Sequence, residues 1–236
     1  MTRARVGLAA VRIAGVAGVL AVATLATMAS HAPATAHLTS FLAKYSPARL
    51  AAGRVWTLPL SAFLLGHPHL IGPTSFMLAF VFLPYVLCCG LGRAAITAMS
   101  GHVASTLVVA AVVLPGALLG WSTAVTVTHS LDYGASAALA ACGGGLAVVV
   151  GRRRPLLGAV VVLLVGGFFA WHLLSVHKLD ANQADIEHLV ALFTGAAVEW
   201  SFSMRRHRLP PVAGPAGSVA GPVPGLVPGP VPAASA

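Results

Sequence analysis

Charge is what this chain has least of. Only 8% of its 236 residues are charged, and just five of those are Asp or Glu. A water-soluble domain of this length carries about three times that share of charge, so a soluble globular fold is excluded. Cysteine is nearly as scarce. Cys88, Cys89 and Cys142 all fall inside apolar runs, without the paired spacing of a zinc site or the even count of a disulfide framework. They read as small apolar packing residues. The formal charge of +9 hints at nucleic acid, yet the basic residues sit in short clusters between apolar runs rather than along one face. No nucleic-acid partner is expected, and nothing in the chain has the form of a cofactor motif.

What is present is apolar sequence in long runs: 58% of the residues are hydrophobic. Six runs approach the roughly 20 residues that cross a hydrocarbon core, at about 7–29, 70–91, 96–120, 132–151, 155–176 and 186–204. Lipid cannot satisfy free backbone groups, so each is expected to be a helix, and the fold class is all-α: a polytopic membrane protein with six transmembrane helices. Arg3 and Arg5, then Arg93, then Arg152 to Arg154, then Arg205, Arg206 and Arg208 fall at one level if there are six crossings. Both termini are therefore expected in the cytoplasm.

The first helix, residues 1–30, has the basic start of a secretory signal and is followed by a small-residue Ala-Thr-Ala at 34–36, but its apolar run is longer than such signals use, and it is read as a retained anchor. Residues 31–69 form an outer loop whose clustered Trp56, Leu58, Leu60, Phe63, Leu64 and Leu65 place it in the membrane interface. Residues 70–204 hold the remaining five helices, and 205–236 form a Pro/Gly-rich cytoplasmic tail expected to be disordered.

Two polar residues stand near the outer ends of separate spans. Ser136 follows Gly134 and Ala135 at the start of the fourth, and His188 opens the sixth. Both should lie at similar depth. Ser136 shares a helix face with Ala140, Gly143 and Gly144, and His188 with Ala191, Gly195 and Glu199. Small residues under both let the backbones approach closely, bringing hydroxyl and imidazole within hydrogen-bonding reach. An isolated membrane serine usually bonds back to its own helix, and an edge histidine commonly sits among headgroups, so only the joint occurrence carries weight. The histidines at 67, 69, 129, 172 and 177 gather toward the outer face without ordered ligand spacing, and no metal is expected. His102 reads as lying toward the cytoplasmic end of its span, with a structural hydrogen bond. Glu199, close to Arg205 and Arg206, reads as an interfacial anchor. No repeated Gly/Pro-broken segments suggest a transporter.

Together Trp56-Thr57, Ser61 and Phe63, then Gly134-Ala135-Ser136, then His188 with Gly195 resemble the rhomboid family of intramembrane serine proteases, in particular the divergent rhomboid-like proteins of high-GC, actinobacterial-type bacteria. The likeness covers about residues 50–204. It implies a bacterial plasma-membrane protein in which Ser136 is the nucleophile and His188 the general base, with transmembrane proteins as substrates. It also implies a dyad with no obligatory carboxylate, so that Asp132 and Asp185 are read as residues at helix starts. The chain departs from the pattern in having Ala137 where family members that cleave have glycine, and in lacking the His and Asn pair early in the second span. Gly134, Ser75, His69 and His67 are the candidates left for oxyanion and substrate contacts. The departures leave open a pseudoprotease that binds membrane clients without cutting them.

Overall fold

The computed structural model of the chain describes residues 3–131, 134–175 and 179–208. Those residues form helices and connecting turns, with no strand among them. α1 (Arg3–His31) leads into three short helices, α2 (Ala36–Ala43), α3 (Pro47–Ala51) and α4 (Thr57–Ser61). A tight turn at Pro68–Leu70 opens the next rod, α5 (Ile71–Met77) and α6 (Leu83–Cys89), joined by a wide π turn at Leu78–Phe82. Pro84 explains that turn: it has no N–H for the carbonyl one turn back, and widening the helix there relieves the clash of its ring. Gly90, at φ 89°, then reverses the chain into α7 (Leu91–Leu118), a conformation that only glycine adopts cheaply. α8 (Ser122–His129), α9 (Ala135–Gly151), α10 (Pro155–Ser175) and α11 (Leu179–Arg208) complete the order.

α9 is the centre of the molecule, with α11, α7 and α10 around it. Of its 17 residues 11 are buried, and these are all Ala, Gly, Cys or Leu. Such small residues let three partners close in at once. Polarity runs inside out. Thr57, Ser61, Thr97, His102, Ser105, Thr106 and Glu199 are buried, while Leu118 is 90% and Leu156 81% exposed. That arrangement is compatible with a membrane protein.

Among the described residues four helical segments are long and apolar enough to cross a bilayer: Arg5–His31, Pro68–Cys89, Leu91–Leu118 and Pro155–Ser175. The other two expected spans differ from expectation in physical character. α9 has 17 residues, about 25 Å of rise, and α11 has 30 but carries Asp185, Glu187, His188 and Glu199. α11 also runs further than expected at both ends, beginning at Leu179 and continuing through Arg208. The tail beyond Arg208 lies outside the described residues, as do Asp132, His177 and the side chain of His172. The stretch read as an interfacial loop carries α2 to α4, with Tyr45, Leu58, Leu64 and Leu65 buried, and the Leu65 N–H donates to Thr27 Oγ1 of α1 at 3.0 Å.

Glu199 is not an anchor paired with the arginines that follow it. It is buried, and Arg93 of α7 grips it at 2.5 and 2.9 Å while Tyr85 of α6 donates to the same carboxylate at 2.7 Å. Helices distant in sequence are thereby tied at the end opposite Ser136. Glu199→Gln is expected to lower stability by about 2 kcal/mol in a detergent melt, because Arg93 keeps its charge in a part-buried position. Adding Arg93→Gln should restore part of the loss. A single variant that melts with the parent would return Glu199 to the role of anchor.

Candidate active site

Three elements place Ser136. His102, mid-way along α7 and fully buried, lies with Nε2 2.8 Å from the Leu58 carbonyl and 2.9 Å from Ser61 Oγ. A carbonyl can only accept, so Nε2 is the nitrogen that carries hydrogen. Gly134 sits directly on that imidazole, and its N–H donates to the Ser61 carbonyl at 3.1 Å. Any β-carbon at position 134 would overlap the ring. His102 is thus level with the start of α9, not toward the cytoplasmic end as the sequence position suggested. Its imidazole pins α4, α7 and the first turn of α9 together.

His188 reaches Ser136 from α11. Its Nε2 is 2.7 Å from Ser136 Oγ, and its ring stacks on Phe169 of α10 at 4.2 Å and 20°. The stack restricts ring rotation. Asp185 is not at a helix start: it lies in the second turn of α11, is buried, and has Oδ1 4.0 Å from His188 Nδ1. At that distance the carboxylate stands beside the ring nitrogen that faces away from Ser136. The backbone N–H groups of Ser136 and Ala137 belong to the first turn of α9, where the first intrahelical donor is Ala138 N–H to the Gly134 carbonyl. Helix geometry leaves such first-turn donors aimed outward.

The close approach depends on the small residues beneath. A β-carbon on Gly144 would overlap the Leu192 carbonyl of α11, and one on Gly195 the Ala141 carbonyl of α9. Gly143 has only ordinary contacts, toward Val165 of α10 and Val81. Gly144 and Gly195 therefore form the α9 to α11 contact, and Gly143 turns to another side of α9.

Ser136 and His188 open into a cavity of about 640 Å³. The end of the outer loop supplies Leu65 and Gly66, the second rod Leu70, Pro73, Thr74 and Met77, and α9 Ala137. One wall was not anticipated. Ser130, just after α8, donates to Gln183 Oε1 at 3.0 Å, and Gln183 donates to Glu187 Oε1 at 2.9 Å. This chain fastens α8 to α11, and its members face the cavity. Gln183 and Glu187 stand one turn apart on α11, just before His188, an i,i+4 spacing present in the sequence.

The remaining candidates are elsewhere. The Ser75 hydroxyl bonds back to the Ile71 carbonyl at 2.7 Å. His67 and His69 are exposed, stacked on each other at 5.2 Å, with His31 beside His67. None of the three lines the cavity. Among the described residues no three His, Cys, Asp or Glu side chains gather in a form that could hold a metal ion. No protein-family model, characterised protein or solved structure matches this chain.

Proposed function

We propose that this chain is a six-span, rhomboid-like protein of a bacterial plasma membrane that hydrolyses peptide bonds in or near the transmembrane segments of other proteins. The observation that carries this reading is the 2.7 Å contact between His188 Nε2 and Ser136 Oγ at the wall of a cavity large enough for a peptide segment. His188 takes the hydroxyl proton as Ser136 attacks the scissile carbonyl, and returns it to the departing amine. The first-turn N–H groups of Ser136 and Ala137 receive the negative oxygen of the tetrahedral intermediate. Phe169 holds the imidazole by stacking, with Asp185 beside its other nitrogen. Water then releases the acyl group from Ser136 by the same proton transfers in reverse order.

The shortness of α9 supports this reading. Enclosed by α7, α10 and α11, it meets little lipid and need not match the full bilayer thickness. Its first turn then sits below the membrane surface under a cavity that water can fill, which is what hydrolysis inside a membrane requires. With α9 and α11 counted as crossings, the arginine clusters share one level, and both termini are cytoplasmic.

A second reading is favoured by three particular residues. Thr74 and Met77 occupy the cavity wall where the second span would bring a His and Asn pair, and the Ala137 methyl stands beside the nucleophile. A protein so built binds a membrane client without cutting it. Labelling by a fluorophosphonate probe separates the two. The protease reading expects labelling of the parent and none of Ser136→Ala or His188→Ala. An unlabelled parent whose Ser136→Ala variant binds the same membrane partners is the client-binding protein.

A further inference from the structure

At the end of the bundle opposite the dyad, two cavities meet at one arginine. The first, of about 190 Å³, is walled by Arg93, Arg152 and Arg153. Its carboxylate, Glu199, is already engaged by Arg93 and Tyr85. The second, of about 440 Å³, is an apolar groove between α9, α10 and α11, running from Arg152 past Gly151 and Gly158 to Gly144 and Ala196. From Arg152 to Gly144 the helical rise is about 12 Å. Trp200, 58% exposed, stands at its rim with the Arg152 guanidinium 5.4 Å from its ring. The groove exists because Gly151 and Gly158 let α9 and α10 touch backbone to backbone: a β-carbon on Gly158 would lie 2.5 Å from the Gly151 α-carbon.

We propose that these two cavities form one site for an anionic phospholipid, its phosphate on Arg152 and Arg153 and one acyl chain along the groove. Charge selects the occupant. A zwitterionic lipid offers the arginines a phosphate already shadowed by its own cation, whereas an anionic headgroup leaves their attraction uncancelled. The groove supplies what a free phosphate could not use, an apolar channel beginning at the arginines. An aromatic side chain at the rim is where headgroup and hydrocarbon meet. Because the groove is floored by α9 and flanked by α11, the bound chain braces the two helices that carry Ser136 and His188. This site rests on the membrane part of the proposed function and not on the dyad.

The test uses the full chain purified in a nonionic detergent and native mass spectrometry. Phosphatidylglycerol and phosphatidylcholine of equal acyl length are added at equal concentration. The parent is expected to retain the anionic lipid about fivefold or more over the zwitterionic one. Arg152→Gln with Arg153→Gln should abolish that preference, while Arg5→Gln, on α1 and lining neither cavity, should keep it. Ala159→Leu, which fills the groove without touching charge, should lower retention of the anionic lipid. Inorganic phosphate at matched ionic strength should displace none. Equal retention of both lipids by the parent, a preference that survives the double arginine change, full retention by Ala159→Leu, or displacement by inorganic phosphate would each overturn the site. Detergent solution imposes no orientation and the readout involves no catalysis, so this result and fluorophosphonate labelling of Ser136 fail independently.

Discussion

Ser136→Ala and His188→Ala are each expected to reduce cleavage of a reporter transmembrane substrate by on the order of 10⁴ or more, and the double variant to be little worse than either alone. The non-additivity is the diagnostic part. A hydroxyl and an imidazole 2.7 Å apart transfer one proton between them, so removing either ends the same step. Two independent contributions would multiply instead. Ser136 is half-buried at the cavity, so its truncation should move the melting temperature little, whereas His188→Ala also loses the stack on Phe169 and should melt somewhat lower while still folding. Ala137→Gly is the companion variant. It removes the methyl beside the nucleophile and should raise turnover by up to about tenfold, while costing about 1 kcal/mol of helix stability. A parent that cleaves at the same rate as Ser136→Ala would sink the protease reading, whatever its affinity for the substrate.

The pairing of Ser136 with His188 was legible because three local signals agreed: depth in the span, side of the membrane, and small residues on the facing stripe. Hydropathy carries that kind of information. It does not carry contacts between segments whose own patterns are unremarkable. His102 looked too deep because its depth was counted along α7 alone, whereas α4 dips to meet it through Leu58 and Ser61. Ser75, His67 and His69 were candidates by proximity in sequence to the second span. The turn at Pro68–Leu70 leaves both histidines outside, and Ser75 satisfies its own helix. Glu199 was matched to the nearest arginines in sequence, but a buried carboxylate takes the partner that shares its burial, here Arg93 on another helix. The polar wall of Ser130, Gln183 and Glu187 is not carried by hydropathy, which starts the sixth run at about 186 and leaves Gln183 outside it. In the fold α11 begins at Leu179, and these residues face a cavity.

The dyad distance is set well below the dyad, and that leads to the largest expected stability effect. Gly195→Ala adds one methyl group, which in most exposed helical positions stabilises by up to about 1 kcal/mol. Here the added β-carbon falls on the Ala141 carbonyl oxygen, with the Ala141 α-carbon 2.7 Å away, and backbone cannot rotate aside as a side chain would. The helices must separate. We expect a loss of about 3 kcal/mol or more in a detergent melt, at the upper end of overpacking costs because the obstacle is main chain. Gly144→Ala meets the Leu192 carbonyl on the same interface and should behave alike. Gly167→Ala on α10, with nothing within 4 Å of its β-carbon, is the control and should melt at or above the parent. Separation of α9 from α11 also carries Ser136 away from His188, so the surviving folded fraction of Gly195→Ala should turn over more slowly than its folded amount accounts for. A shift of about 1 Å in a reacting pair is enough to cost about a hundredfold. If Gly195→Ala and Gly167→Ala melt alike, α9 and α11 are not in backbone contact, and the 2.7 Å between nucleophile and base has lost the packing that was argued to hold it.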